Sequence, residues 1–328
     1  MESRNVLVTG GAGYVGAHAC KALRAAGYVP VVFDDFSTGN RGAVRFGPLV
    51  EGNLLDAAAL DRAFDAHRPI AVMHFAAFSQ VAEAMAEPGR YWRNNVGGSL
   101  SLLEATVRAG VDAFVFSSTC ATYGDRDGEV LDEGAPQAPL NAYGASKRAI
   151  EDMLRDFEGA HGLRHVVFRY FNVAGADPEA EIGEAHEPET HLVPAMLEAI
   201  RGERPALTVH GTDYDTPDGT AIRDYVHVMD LVEAHLAGLD RLLNGGGSRA
   251  YNLGSGTGYS VREVIEASRA VTNRAVPFED GPRRAGDAVR LVSGSTRAKD
   301  ELGWEPKRGL REMIADAWRW HSGPGFDG

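Results

Sequence analysis

The 328-residue chain carries 33 Lys and Arg against 46 Asp and Glu, and its formal net charge of −13 excludes a general binder of nucleic acid or of anionic membrane. Hydrophobic residues at 44% and charged residues at 24% describe an ordinary globular chain, with core enough for one large α/β domain or two smaller ones. No apolar run reaches the length of a membrane span, Met1-Glu-Ser-Arg-Asn-Val leaves no room for a signal peptide, and Cys20 and Cys120 lack metal-ligand spacing, so free thiols and a cytoplasmic location are expected.

In chain order, Val6–Thr9 reads as a buried strand, followed by a glycine turn and a helix to about Ala26. Further strands are expected at Val31–Asp34, Ala71–His74, Phe114–Ser117 and Val166–Tyr170, with helices at about Ala57–Ala66, Gly98–Arg108 and Tyr143–Gly159. Ser117-Ser-Thr119 is expected just after its strand. Such alternation predicts right-handed βαβ units and a parallel sheet covered on both faces, with functional residues beyond the carboxyl ends of the strands. The stretch Ala176–Thr190 is rich in Asp, Glu, Pro and Gly and reads as a long loop or domain junction. The expected fold is therefore α/β: a Rossmann-type doubly wound parallel sheet over residues 1–175 and a smaller C-terminal α/β substrate domain over 176–328. The segment around 225–255 is expected to return to the first sheet.

Gly10, Gly13 and Gly16 follow the first strand and open the first helix. Glycine there allows a tight turn, close approach of a pyrophosphate and close helix–strand packing, while the helix N-terminus offers unpaired N–H groups to phosphate. Asp34, ending the second strand, suits a ribose 2′-hydroxyl and repels a 2′-phosphate, which selects NAD over NADP. Tyr143 and Lys147 lie four residues apart and share one helix face. A tyrosine with a pKa near 10 is a poor base at neutral pH, and lowering it by three units takes roughly 4 kcal/mol from nearby positive charge. One lysine does not supply that alone; a lysine together with a cationic nicotinamide ring does.

The Gly-x-x-Gly-x-x-Gly spacing, Thr119 and the Tyr143/Lys147 pair are those of the extended short-chain dehydrogenase/reductases. Nearly the whole chain resembles the UDP-galactose 4-epimerases (UDP-glucose 4-epimerases). The resemblance is carried by Val6–Gly16, His74-Phe-Ala-Ala77, Asn94-Asn-Val96, Phe116-Ser-Ser-Thr119, Tyr123-Gly124, Tyr143-Gly-Ala-Ser-Lys147 and Arg169-Tyr-Phe-Asn172, then by Thr190-His-Leu-Val-Pro194, Asp218-Gly-Thr220, Arg223-Asp-Tyr-Val-His227, Tyr251-Asn-Leu-Gly254 and Arg283-Arg-Ala-Gly-Asp287.

That resemblance implies transient oxidation at C4 of a UDP-sugar by bound NAD, rotation of a 4-keto intermediate and return of hydride to its other face. It makes Tyr143 the base, Lys147 the group that lowers its pKa and holds the nicotinamide ribose, and Thr119 the partner of the 4-oxygen. It assigns the cofactor to Gly10, Gly13, Tyr14, Val15, Gly16, Asp34, Asp35, Asn53, Leu54, Phe75, Ala76, Ala77, Asn95, Ser117, Tyr143, Lys147, Tyr170 and Phe171. Asn53 replaces an aspartate common in the family, and Ser79 stands where some members have a pyrophosphate-binding lysine. Tyr123 is expected to be a packing residue. Substrate contacts fall on Thr119, Tyr143, Asn172, His191, Leu192, Arg223, Arg284, Asp287 and Leu291. Arg223 and Arg284 are the diphosphate candidates, because a guanidinium fork matches phosphate oxygens. Leu291 walls the sugar end, where a tyrosine in relatives excludes 2-acetamido sugars. No metal site is expected, since no second ligand at useful spacing from His191 stands out.

Cys120 and Ala121 occupy the positions where dehydratase relatives carry an Asp-Glu pair, so elimination lacks its acid and base. Decarboxylases, pentose epimerases and uronate 4-epimerases remain open readings. A noncatalytic NAD sensor should have lost Tyr143 or Lys147, and both are present. Apolar residues at Leu100, Leu103, Val107, Ile150, Met153, Leu154 and Phe157 suggest a homodimer built by helix packing.

Overall fold

A computed structural model describes residues 4–126, 130–284 and 287–326. Its strands are β1 (Asn5–Thr9), β2 (Val29–Asp34), β3 (Leu49–Glu51), β4 (Ala71–His74), β5 (Ala113–Thr119), β6 (Val130–Leu131), β7 (Arg164–Tyr170), β8 (Asn172–Ala174), β9 (Leu207–His210), β10 (Ile222–His227), β11 (Arg249–Leu253), β12 (Gly258–Ser260), β13 (Phe278–Gly281) and β14 (Arg290–Ser293). Its helices are α1 (Tyr14–Ala25), α2 (Ala57–His67), α3 (Val81–Ala86), α4 (Pro88–Tyr91), α5 (Gly98–Arg108), α6 (Ala142–His161), α7 (Leu192–Arg201), α8 (Val228–Leu243), α9 (Val261–Thr272), α10 (Arg297–Leu302) and α11 (Leu310–His321).

Seven parallel strands form the main sheet in the order β11-β7-β5-β4-β1-β2-β3. The chain winds outward from β1 in one direction and from β4 in the other, so the switch point lies between them. Both faces are covered. Val6 and Val8 point into a core shared with Leu23 of α1 and Leu231, Leu239 and Leu242 of α8, while Leu7 points the other way, toward Leu60 of α2, Leu102 and Leu103 of α5, and Ile150 and Leu154 of α6. This is the period-2 consequence of a strand buried on both sides, and it explains an unbroken apolar run in the sequence.

The expected elements of the first half are present, with one difference that touches the site. β5 continues to Thr119, which pairs with Tyr170 of β7, so Ser117-Ser-Thr119 forms the last residues of the strand instead of following it. Cross-strand pairing with a longer β7 extends the ladder beyond the apolar stretch.

A smaller five-stranded sheet is built on β10, which pairs parallel with β8 and β14 and antiparallel with β12; β14 in turn pairs with β6. Strand β6 follows the catalytic-side strand in the chain yet lies in this second sheet, stitching the halves together. The segment 225–255 divides: β10 stays in the smaller sheet, α8 covers the main sheet, and only β11 adds to its edge beside β7. Helices α7, α9 and α11 enclose a separate apolar core of Val193, Met196, Leu197, Val264, Ile265, Met313 and Ile314. Among the described residues, no helix is long and apolar enough to cross a membrane.

Candidate active site

The glycine turn between β1 and α1 has the geometry its residues predict. Gly10 has φ +73°, and a Cβ there would come within 2.5 Å of the Ala76 nitrogen. At Gly16 a Cβ would fall 2.1 Å from the Gly10 carbonyl oxygen, so the helix could not lie so close to the turn with any other residue. Gly13 is the N-cap of α1, and no side chain caps that terminus, which leaves its first-turn N–H groups to a ligand. Val15 is partly buried in the core below, and the Tyr14 hydroxyl donates to the Gly175 carbonyl at 2.6 Å, tying the turn to the chain beyond β8.

Asp34 braces this turn from the end of β2: its carboxylate accepts from Ala12 N–H and Phe36 N–H, each at 2.9 Å. Burial raises its pKa and those backbone donors oppose the rise. Asp35 accepts from the Asn53 side-chain amide at 2.6 Å, so two residues expected at the adenosine end are neighbours, and the substituted Asn53 is held by the acid beside it. Leu54 is buried in the core under them. Ala76 donates its N–H to the Thr9 carbonyl, Ala77 is partly buried, and Phe75 packs 5.0 Å from the His235 ring. Asn95 lies in a π-helical turn, Trp92–Gly97, 1% exposed, with its amide bound to Phe78 N–H, Phe78 carbonyl and Ser146 hydroxyl; it holds the loop after β4 in shape from beneath.

The four-residue spacing on α6 delivers both members of the Tyr143/Lys147 pair to the end of β5. The N-cap Asn141 accepts from Gly144 N–H at 2.9 Å and fixes the start of the helix. Lys147 is 3% exposed, donates to the Ser117 carbonyl at 2.8 Å and sits 4.9 Å from the Phe116 ring centroid. Burial pushes its pKa down to about 7, against the pull of Glu151. Half-buried Tyr143 goes the other way: desolvation, reinforced by Tyr170, drives the phenol well above its usual pKa, and a hydrogen bond with Thr119 pulls against that. The chain's own groups therefore hold a neutral phenol, and Lys147 does not by itself make it a base. Ser117 and Tyr170 share a hydroxyl–hydroxyl hydrogen bond, and Thr119 is 7% exposed and caps the turn at Cys120–Thr122 by accepting from Ala121 N–H at 3.1 Å.

Sequence reasoning missed what lies behind this pair. Glu151, one turn beyond Lys147, is bound by the Arg169 guanidinium at 2.6 to 3.1 Å, by Ser118 Oγ at 2.6 Å and by Gln137 at 3.0 Å. Arg169 also donates to the Tyr123 hydroxyl, which donates to Asn252 of β11. Tyr123 is fully buried as expected, but as part of this network and not of an apolar cluster alone. The readable signal was the Lys147/Glu151 spacing of four with an arginine in the adjacent strand.

Of the expected substrate residues, Arg223, Asp287 and Leu291 come together on the other side. Arg223 of β10 is in register with Leu291 of β14, and its guanidinium lies 3.7 Å from the Asp287 carboxylate. Leu291 packs with Phe171, Cys120, Tyr123 and Leu131, next to Thr119, and the Arg223 charge is felt by the Cys120 thiol. Asn172 faces β10 opposite Tyr225. Arg284 is exposed and its carbonyl accepts from Asp287 N–H at 3.4 Å; Ala285 and Gly286 of the same motif lie outside the described residues. Leu192 begins α7, immediately after His191. His191 is not isolated: Glu184, His186 and Glu189 surround it, a proximity the spacing argument overlooked.

A glycine turn at the switch point of a doubly wound sheet, with a buried lysine and a tyrosine at the carboxyl end of β5, defines a dinucleotide-dependent Rossmann enzyme. Residues 6–254 match the family model described as "NAD dependent epimerase/dehydratase family", and the chain belongs to that family. It is 48% identical over 322 residues to a UDP-glucose 4-epimerase of Rhizobium meliloti, covering 98% of each chain. The crystal structure of UDP-glucose 4-epimerase from Brucella ovis in complex with NAD superposes with a TM-score of 0.93 at 46% identity, over 96% of this chain and 97% of the other. The UDP-Glc/GlcNAc 4-epimerase of Campylobacter jejuni superposes with a TM-score of 0.84 at 38% identity, over 98% and 99%.

Proposed function

We propose that this enzyme interconverts UDP-glucose and UDP-galactose by NAD-dependent epimerisation at C4. The observation that carries the reading is the meeting of Tyr143, Lys147 and Thr119 at the end of β5, beside the cluster that holds Leu291 and within reach of the Arg223 charge. The residues fit the cofactor: an uncapped helix terminus and the close-packed Gly10/Gly16 turn suit its pyrophosphate, and the braced Asp34 with Asp35 and Asn53 suits its adenosine ribose and base. When bound, NAD would supply a reversible two-electron acceptor for the sugar C4 hydride and, in its oxidised form, further positive charge.

Tyr143 takes the O4 proton and gives it back, Thr119 hydrogen-bonds the 4-oxygen, and Lys147, already bound to the Ser117 carbonyl of β5, would hold the ribose of the cofactor. A phenol that the chain alone keeps neutral becomes a base only when further positive charge is near, which restricts proton abstraction to the loaded enzyme. Ser117, Tyr170, Phe171, Phe75, Ala76 and Ala77 line the nicotinamide end. Arg223 and Arg284 hold the diphosphate, Asp287 the uridine ribose, and Asn172, His191, Leu192 and Leu291 the remaining substrate surface. We take residues 1–175 as the NAD-binding domain and 176–328 as the nucleotide-sugar domain, with β11 contributed back to the first sheet.

A broader substrate range is favoured by one feature. Leu291 is smaller than a tyrosine at the sugar wall, which supports turnover of N-acetylated UDP-sugars as a secondary activity. The surface carrying Met85, Trp92 and Leu100, exposed by 58%, 44% and 40%, supports a homodimer, whereas Leu103, Ile150 and Leu154 are consumed by the chain's own core.

The test is purified protein with UDP-galactose or UDP-GalNAc, with and without added NAD, and products resolved by chromatography. Formation of UDP-glucose is expected. Failure to convert any of these substrates even with NAD refutes the epimerase reading. Tyr143→Phe is expected to lower kcat by about 10²- to 10⁴-fold without moving the denaturation midpoint; retained activity removes the proposed base.

A further inference from the structure

We propose that Glu184, His186, Glu189 and His191 form a binding site for a divalent metal of the zinc class, which ties the long loop before α7 to the start of that helix. The four residues fall within one short stretch, Glu184-Ala-His-Glu-Pro-Glu-Thr-His191, and their donor atoms all lie within 4.8 Å of one another. His191 Nδ1 is 2.6 Å from Glu184 Oε1 and 3.6 Å from Glu189 Oε1; His186 Nδ1 is 3.2 Å from Glu184 Oε1 and 3.7 Å from Glu189 Oε2. A tetrahedron with metal–ligand bonds of 2.0–2.2 Å has edges of about 3.4 Å, so the separations of 3.2, 3.6 and 3.7 Å already suit such an ion, while the 2.6 Å hydrogen bond between His191 and Glu184 would have to open by about 0.8 Å as metal bonds replace it.

Three further observations point the same way. The side chains of Glu184 and Glu189 are only 5% and 2% exposed, and carboxylates so deep require positive charge, either on the flanking His186 and His191 imidazoles or from an ion held between them. His186 Nδ1 is buried and has no well-aligned hydrogen bond among the described residues, with the Glu184 and Glu189 carboxylates at 3.2 and 3.7 Å on either side of it. The Glu189 carboxylate is itself oriented by the Thr190 and His191 N–H groups, each at 2.8 Å, the outer-layer support that metal-binding carboxylates use.

The same loop contains its own contrast. Asp177, Glu179 and Glu181 also converge, but Lys21 Nζ sits among them at 2.8, 2.5 and 2.6 Å, so a side-chain cation already fills that cluster. At Glu184 no lysine or arginine is paired among the described contacts, and the ligands are two imidazoles with two carboxylates. Imidazole nitrogen argues against calcium or magnesium and for zinc or a neighbouring transition metal. The site lies against the glycine turn: a small cavity is lined by Ala12, Gly13, Tyr14, Gly183 and His186. The Glu184 carbonyl also accepts from Trp320 Nε1 at 3.1 Å, which anchors the loop to α11. An ion here clamps the loop over that turn, and because it takes His191 Nδ1, it leaves only the other ring nitrogen of His191 to the substrate surface proposed above.

The experiment uses the full-length protein without an affinity tag. Metal content is measured by mass spectrometry after growth with zinc, then the protein is stripped with a chelator and titrated with Co2+. About one zinc per chain and the visible bands of tetrahedral Co2+ are expected. His186→Asn and Glu184→Gln should each weaken Co2+ binding at least about 100-fold, while Glu179→Gln, in the lysine-filled cluster, should leave it unchanged. The proposal is overturned if the wild-type protein retains no metal and shows no saturable Co2+ spectrum, the behaviour of a purely ion-paired cluster. It is equally overturned if both variants bind Co2+ as the parent does. The wild-type titration needs no substituted protein, so a variant that fails to fold does not rescue the idea.

Discussion

The side of the site formed by β5, β7 and α6 is closed on itself, whereas the side formed by β10 and β14 is left with charge to spare. On the first, Glu151 accepts from Arg169, Ser118 and Gln137, and Lys147 spends a hydrogen bond on the Ser117 carbonyl. On the second, Arg223 meets Asp287 only at 3.7 Å, and Arg284 is exposed. The first side is thus set before any ligand arrives, as the proposed reaction geometry demands, and the opposite side leaves its guanidinium groups available to the diphosphate proposed for it. Three perturbations separate these two kinds of design.

Acid should have the largest effect, and it attacks the buried framework that packs around the closed side. His74 of β4 is held between Thr9 and Ser99 and its pKa is lowered to about 3, by burial first and by the Lys147 charge second. His18 of α1 and His235 of α8 are lowered to about 4, chiefly by burial. An unfolded histidine titrates near 6.5, so below that pH the unfolded chain binds protons that the folded one refuses. The stabilisation is complete above pH 6.5 and drains away as the pH falls from there to about 4, then to about 3 for His74. Urea midpoints measured across this window should decline steadily. A flat profile down to about pH 5 would contradict the neutral burial of these rings.

Next in size is the buried pair itself. Replacing one partner of a buried ion pair strands the other and costs about 3–5 kcal/mol. Glu151→Gln is therefore expected to lower stability by that order and to leave Lys147 without the carboxylate that favours its charged form. Arg169→Met combined with Glu151→Gln should recover part of the loss, since no charge is then left unpaired. A near-neutral Glu151→Gln variant in urea denaturation would mean the closed side is held by packing alone.

These networks mark where the sequence stopped being readable. Apolar runs such as Val6-Leu-Val and Val166-Val-Phe are local signals, and a strand buried on both faces has few other readings, so the main sheet and its order of helices were legible. The glycine turn and the Tyr143/Lys147 spacing were legible for the same reason, because each is short, whereas Thr119 came only with the family resemblance. The Glu151–Arg169 pair joins a helix to a strand, and the short β6, β8 and β14 are defined by partners far along the chain. Nothing in Val130–Leu131 itself announces that it leaves the first half to pair with β14. The Ala176–Thr190 stretch was correctly a loop, but its composition hid the convergence of Glu184, His186 and Glu189 on His191.

The smallest effect, and the sharpest for the comparison, belongs to the open side. Arg223 is partly buried and is backed by Leu291 and Asp287; Arg284 is exposed. If both serve the diphosphate, Arg223→Met and Arg284→Met each remove a charge-assisted contact of about 1.5–3 kcal/mol, which appears as a KM for UDP-galactose raised about 10- to 100-fold. The contact is remote from C4 and is made equally in ground and transition states, so kcat should change little. Stability should follow burial instead: Arg284→Met should stay within about 0.5 kcal/mol of the parent, as surface changes do. Arg223→Met also removes the hydrogen bond to the Ile222 carbonyl and the positive charge that neighbours Asp287, and should cost somewhat more. A drop in kcat with unchanged KM for either variant would move that arginine from substrate binding to the chemistry, and the open side would then share in catalysis with the closed one.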